Sequence, residues 1–310
     1  MSRVAVLKGG RSLERQVSMR SGARVEDALA RLGHEAVGID VGPDLIARLR
    51  EAAPNAAFVA MHGRDGEDGT VQELLEILGI PYTGSGVLAC ARATDKVLAK
   101  HLMIEAGIPT PDFHSFSESA FAGLGAAQAL PAIEERLEFP IVVKPSSQGS
   151  ALGVKFARTA ADVPAALIAA FSYDSRVLLE RYVAGRDLAV SILDGEALPV
   201  VEAVPRDEEF YDFEARYEIG RTDFVCPAAL DPEVAERTHE LALRTHALLG
   251  CRGFSRVDLM LDGDGGLFVL EANPIPGLTD TSLLPQAAEA GGVGFDELVG
   301  RILELARLPP

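Results

Sequence analysis

Short apolar runs alternate with amphipathic stretches at the start of the chain. VAVL (4–7) reads as a buried strand, AVGIDV as a second and AAFVAMHG as a third. Ser18 to Leu32 carries helical spacing, and Val71 to Leu78 forms a short amphipathic helix ended by Gly79 and Pro81. This alternation predicts an open α/β layer with a mostly parallel sheet. Its ligand site is expected at the strand carboxyl ends, which carry Lys8-Gly9-Gly10 and His62-Gly63. A helix is then predicted from Thr94 to Ala106, closed by Gly107 and Pro109. In FPIVVKPSSQGSALGVKFA two apolar strands flank a Gly/Ser-rich turn; with a helix over 161–171 and the strand VLLERYV they suggest a small α+β unit. The remainder opens with DLAVSILDG, places strands near 190, 200, 257 and 268, and has a helix over 232–249. The expected division is 1–93, 94–183 and 184–310. Arg206 to Arg221 is polar, aromatic and irregular, and a loop of that size is usually a functional lid or disordered.

Composition narrows the function classes. The chain has 310 residues, enough for two or three domains, and 48% hydrophobic against 24% charged residues is globular. A net charge of −17 argues against nucleic acid and anionic membranes as partners, but local lysines can still hold ATP. Cys90, Cys226 and Cys251 are odd in number and lack C-x-x-C spacing, so reduced thiols and a cytosolic setting are expected. VAVL follows Met1 closely, without the layout of a signal peptide.

The sharpest chemical signal is LFVLEAN (267–273) read with Asp258 in SRVDLML. Side chains two apart on a strand share a face, so Glu271 and Asn273 point the same way. The turn Asp262-Gly263-Asp264-Gly265-Gly266 folds Asp258 back beside them. Two carboxylates and an amide form a hard, oxygen-only set suited to Mg²⁺ with positions left for phosphate oxygens. The competing reading is a solvated strand end. A calcium loop fits less well, because its twelfth position, a bidentate glutamate in that motif, is Asn273 here.

The other segments are weaker singly. Lys144-Pro145-Ser146-Ser147-Gln148-Gly149-Ser150-Ala151-Leu152-Gly153 has the small residues that let backbone N–H groups approach phosphate, as would an ordinary flexible hairpin. Gly84-Ser85-Gly86-Val87-Leu88-Ala89 matches G-x-G-x-x-A, but Ile80-Pro81-Tyr82 precedes it rather than a buried strand, which places it at a domain junction more readily than on a dinucleotide. Taken alone, Lys96 reads as a solvated lysine in a helix capped by Thr94 or Asp95, His62 as a packing or capping residue, and Glu14 as a solvated carboxylate.

Together these segments resemble the D-alanine–D-alanine ligases of the ATP-grasp superfamily. GGRSLERQVS, MHGRDGEDG, IPYTGSGV, ATDK, VVKPSSQGSALGV, LLERYVAG, FYDFEARY, CPA, GFSRVDLML, LEANPIPGLTDTSLLP and RILEL occur in family order over nearly the whole chain. The resemblance implies an ATP-grasp fold of three domains: an amino-terminal open parallel α/β substrate domain, a small central α+β domain and a carboxyl-terminal α+β catalytic domain, with ATP between the last two. It implies ligation of two D-alanines through a D-alanyl phosphate for peptidoglycan synthesis.

Carried over residue by residue, it assigns Lys96, Lys144 and Arg216 to ATP, with Gly149, Ser150 and Ala151 covering the phosphates. Glu180, Arg181, Tyr182 and Val183 would line the adenine pocket, and Asp187 would meet the ribose. Asp258, Glu271 and Asn273 would bind two Mg²⁺ (or Mn²⁺) ions. Arg256 and Gly277 would stabilise the oxyanion. Glu14 would bind the first D-alanine ammonium with His62 nearby, and Ser282 and Leu283 the second carboxylate. Glu14, Ser150 and Tyr217 match a trio joining the amino domain to the lid. A homodimer is implied, and K⁺ activation stays open.

The chain departs from the family pattern at three places. Arg216 stands where many members carry Lys, Pro274-Ile275 follows Asn273, and Asp280-Thr281 precedes Ser282. Tyr217 favours an amine nucleophile, while the changes near Pro274 leave D-serine, D-lactate or a specialised peptide as alternative acceptors. An ATP-binding regulatory protein that kept the fold is the non-enzyme alternative.

Overall fold

The computed structural model describes residues 1–124, 128, 131, 133, 135–205 and 222–308. The amino-terminal part runs β1 (Arg3–Lys8), α1 (Arg15–Arg31), β2 (Glu35–Asp40), α2 (Leu45–Ala52), β3 (Ala56–Val59), α3 (Thr70–Leu78), α4 (Val87–Thr94) and α5 (Lys96–Glu105). Its sheet is fully parallel in the order β2-β1-β3, as the alternating pattern predicts. Helix α1 begins a turn earlier than the apolar spacing indicates, because its first turn is polar and Glu14 occupies the N-cap position.

The helix expected from Thr94 to Ala106 is α5, Lys96–Glu105, and a separate helix, α4, ends at Thr94 just before it. Asp95 is extended between them (φ −81°, ψ 96°), and its carboxylate accepts the Val97 and Leu98 N–H groups. A short acid that satisfies orphan N–H groups starts a new helix rather than continuing the old one. Residues 87–94 therefore form a helix of their own that the glycine pattern concealed. The G-x-G-x-x-A stretch contacts the carboxyl-terminal part: the Gly84 carbonyl accepts Arg252 Nε at 2.7 Å, and a Cβ on Gly84 would lie 3.2 Å from the Phe254 ring.

The middle of the chain contributes β4 (Phe113–Ser117), α6 (Glu118–Gly123), β5 (Ile141–Pro145), β6 (Lys155–Ala157), α7 (Val163–Phe171) and β7 (Arg176–Arg181). Strands β5 and β6 pair antiparallel across the Gly/Ser turn, within the sheet β4-β7-β5-β6. β4, with the sequence FHSFS, escaped the pattern reading because it is a half-exposed edge strand with little apolar contrast.

The carboxyl-terminal part adds β8 (Gly185–Leu193), β9 (Glu196–Ala197), β10 (Val201–Pro205), β11 (Thr222–Val225), α8 (Pro232–Leu249), β12 (Phe254–Asp262), β13 (Leu267–Asn273), α9 (Leu283–Ala290) and α10 (Phe295–Glu304). The sheet order is β11-β10-β8-β12-β13, with β9 paired to β8. Packing does not follow chain order. Leu284, Leu298 and Ile302 of the last two helices share a core with Val6, Leu29 and Phe58 near the amino terminus. Met103 of α5 packs with Leu241, Val257 and Val269. Among the described residues, no helix is long and apolar enough to cross a membrane. Burial pushes the Cys251 thiol up to about 11 and that of Cys90 well above its ordinary value, so both stay protonated at neutral pH.

Candidate active site

The β12–β13 hairpin builds the acidic end of the site. Its register puts Asp258 opposite Glu271 and Arg256 opposite Asn273, with a bulge just after Asp258. Asp262 folds the turn by accepting the Asp264 and Gly266 N–H groups at 3.0 and 2.6 Å. That carboxylate therefore serves its own turn, which removes the calcium-loop reading. Each oxygen group of the hairpin meets a cation or an N–H. Arg256 grips Asp258 through Nε and Nη2 at 2.6 and 2.8 Å, Lys96 Nζ lies 3.2 Å from Glu271, and Asn273 Oδ1 accepts the Ile275 N–H at 2.8 Å.

Two cavities adjoin this hairpin. The larger, about 420 Å³, lies between the central and carboxyl-terminal sheets, within the range of small-molecule sites. Lys96, Lys144, Ala151, Glu180, Arg181, Tyr182, Val183, Asp187 and Asp258 line it. The smaller, about 60 Å³, is walled by Glu14, His62, Gly149, Ser150, Arg256, Asn273, Gly277, Ser282 and Leu283. Glu271 lines both. Every candidate residue within the described part thus faces one cavity or the other; Arg216 and Tyr217 lie outside the described residues, as does the rest of the irregular segment 206–221.

Burial corrects the local readings of Glu14 and Lys96. They are only 6% and 8% exposed, so neither is a solvated side chain. Lys96 Nζ donates to the Gln148 carbonyl at 2.9 Å, tying α5 to the Gly/Ser turn. Ser150 Oγ donates to Glu14, and a Cβ on Gly149 would come within 3.1 Å of the same carboxylate. Ser150 and Ala151 both take left-handed backbone conformations (φ 56° and 54°), a costly geometry for residues with a Cβ that here turns the loop over the cavities.

His62 joins the first sheet to the loop after β13. Its Nδ1 lies 3.2 Å from the Ile275 carbonyl and 3.4 Å from Glu67, both acceptors, so Nδ1 carries the proton. Nε2 then accepts from the Ser21 hydroxyl at 3.0 Å, and Ser21 Oγ accepts the Leu278 N–H at 3.2 Å. Both ring nitrogens of His62 and the Ser21 hydroxyl thus have partners.

Two participants escaped sequence reading. Glu67 is buried beside His62 in the smaller cavity. Lys100 is fully buried behind the larger one; its Nζ lies 2.6 Å from Glu180, whose other oxygen meets Lys144 at 2.7 Å. Lys100 follows Lys96 by one helical turn, and that i, i+4 spacing was the available signal. Burial alone would raise the Glu180 carboxyl, but the two lysines outweigh it and hold it below the usual value.

Burial, then the charge of Glu67, push the Glu14 carboxyl up to about 7 from its ordinary 4.5. Between those values the folded chain binds a proton at Glu14 that the unfolded chain has released. The associated stability is fully present below about 4.5 and is lost as pH rises through about 7. At 1.36 kcal/mol per pH unit the loss is roughly 3 kcal/mol. Urea unfolding is therefore expected to show wild type losing stability relative to Glu14→Gln between pH 5 and 8. Parallel profiles for the two proteins would contradict the perturbed carboxyl.

The chain as a whole matches a known family of enzymes. The family model for "D-ala D-ala ligase C-terminus" matches residues 102–304, and that for "D-ala D-ala ligase N-terminus" matches residues 46–85. The chain belongs to the D-alanine–D-alanine ligase family. It is 42% identical to the D-alanine–D-alanine ligase of Moorella thermoacetica, over 99% of this chain and 100% of that one. It is 45% identical to that of Citrifermentans bemidjiense, covering 99% and 96%. The crystal structure of the Bacillus anthracis ligase complexed with ATP superposes with a TM-score of 0.84 at 34% identity, covering 98% of this chain and 97% of that one. The ATP-grasp fold expected from the motifs is therefore the fold of this ligase family member.

Proposed function

We propose that the chain joins two D-alanine molecules into D-alanyl-D-alanine, using ATP and releasing ADP and phosphate, for peptidoglycan precursor synthesis. The observation that carries this reading is Glu271, which faces both cavities, so that a phosphoryl group held in one can meet a carboxylate held in the other. ATP occupies the larger cavity. Its adenine lies against Glu180 to Val183, its ribose near Asp187 and its phosphates near Lys96 and Lys144, beneath the loop of Gly149, Ser150 and Ala151.

Asp258, Glu271 and Asn273 fit divalent ions, being oxygen donors gathered on one hairpin face with cations now balancing their charge. Two Mg²⁺ or Mn²⁺ ions held there supply charge neutralisation at the phosphate oxygens. The first D-alanine places its ammonium at Glu14, beside His62, and its carboxylate attacks the γ-phosphorus while ADP leaves. The second D-alanine directs its carboxylate at Ser282 and Leu283, at the amino end of α9, which no side chain caps. Its amine attacks the acyl phosphate carbonyl, with Arg256 and the Gly277 N–H positioned for the oxyanion, and phosphate departs. Arg216 and Tyr217 complete this reading as lid residues, since an acyl phosphate needs shelter from water. The units 1–93, 94–183 and 184–310, a cytosolic setting and a homodimer belong to the same proposal.

ADP release coupled to product mass tests it. ATP-dependent formation of D-alanyl-D-alanine from D-alanine alone is expected. Turnover only when D-lactate or D-serine is added would move the acceptor assignment, and ATP binding without turnover would favour a regulatory protein.

A further inference from the structure

The wall of the smaller cavity between Asn273 and Leu283 is a loop, yet it is held from the opposite end of the chain. Helix α1 meets it with two side chains one turn apart, Ser21 and Arg24. Ser21 Oγ accepts the Leu278 N–H at 3.2 Å, and Arg24 Nη1 donates to the Leu278 carbonyl at 2.6 Å. Both backbone groups of one buried residue are thus bound by the same helix. The Arg24 guanidinium also lies 3.9 Å from the centre of the Phe295 ring, and its Nε is 3.0 Å from Asp280. Leu278 follows Gly277 directly. A Cβ on Gly277 would lie 2.6 Å from Ser282 Oγ, so the two residues that face the cavity pack without slack. Thr279 closes the turn, its N–H and hydroxyl meeting Ser282 Oγ at 3.0 and 2.8 Å.

We infer that Arg24 is a positioning residue for the acceptor: by fixing the Leu278 carbonyl it sets where Gly277 and Ser282 stand for the second substrate. This rests on the reading of the smaller cavity as the D-alanine site. The carbonyl bond and the Phe295 stack carry the effect. Asp280 is 86% exposed, and an exposed ion pair contributes little.

Rates measured across D-alanine concentration separate the constants for the first and second molecules. Arg24→Ala is expected to raise the second constant about tenfold, the scale of one charge-assisted hydrogen bond. The first constant and the KM for ATP stay within about twofold, which general loosening of the fold would not allow. Arg24→Lys keeps the charge but not the fork or the ring stack, and falls between. Asp280→Asn changes little. An unchanged second constant in Arg24→Ala, or an equal rise in all three constants, overturns the inference. A wild type that makes no dipeptide overturns the underlying ligase reading instead.

Discussion

Glu271→Gln is expected to abolish turnover, lowering the rate at least about a hundredfold while ATP still binds. Glutamine preserves the size of the side chain and one oxygen, so the hairpin and both cavities survive the change. The negative charge is what disappears. Glu271 stands opposite Asp258 in the strand register and is the residue common to both cavities. In the proposed reading a divalent ion held by this hairpin would lose one of its two carboxylates, and even indirect damage to a metal site costs ten- to a hundredfold. Lys96, 3.2 Å from Glu271, loses its counter-charge in the same step and moves toward the phosphates or the Gln148 carbonyl. Steady-state ADP release with increasing Mg²⁺, alongside direct ATP binding, checks the prediction. A variant with a near-wild-type rate would sink the assignment of Glu271 to metal. A variant that no longer binds ATP would show that the residue shapes the nucleotide cavity instead.

The largest effect on stability is expected from Glu180→Gln. The wild-type carboxylate is fully buried between two lysines, one of them, Lys100, without any solvent exposure. Burial already lowers the Lys100 ammonium to about 8, with Glu180 the main opposing influence. The Thr110 hydroxyl and the Phe113 ring 5.1 Å away carry no full charge, and the charge of Asp112 is a smaller influence than that of Glu180. Removing one partner from a buried ionic cluster costs about 3–5 kcal/mol, because the remaining charge is stranded away from water. Glu180→Gln is expected to lose that much in urea unfolding at neutral pH. Without Glu180 the folded-state Lys100 ammonium falls further below its wild-type value of about 8, so the deficit narrows as pH rises toward about 8 and is constant above it, where both folded proteins have released that proton. Adding Lys100→Met removes the stranded charge and recovers part of the loss, a coupling that a double-mutant cycle reads directly. A loss below about 1 kcal/mol would mean that Lys100 is neutral in the folded protein.

Half of this protein is specified locally, by residues close together in the chain. The hairpin of LFVLEAN with SRVDLML, the β5–β6 turn and helix α8 are contiguous in the chain, and their periodicity and turn residues specify them before any packing occurs. The chemistry carried on those elements was legible for the same reason: Asp258, Glu271 and Asn273 sit at fixed strand spacing whatever surrounds them. Tertiary structure decided everything that depends on burial and distant pairing. Glu14 and Lys96 look solvated in isolation and become buried only when α1, α5 and the Gly/Ser turn converge. Lys100 gains meaning from Glu180, eighty positions away, and Arg24 from Leu278 near the far end of the chain. A charge is tuned by the solvent it loses and by the partner it meets, and the chain acquires both only when distant segments pack together.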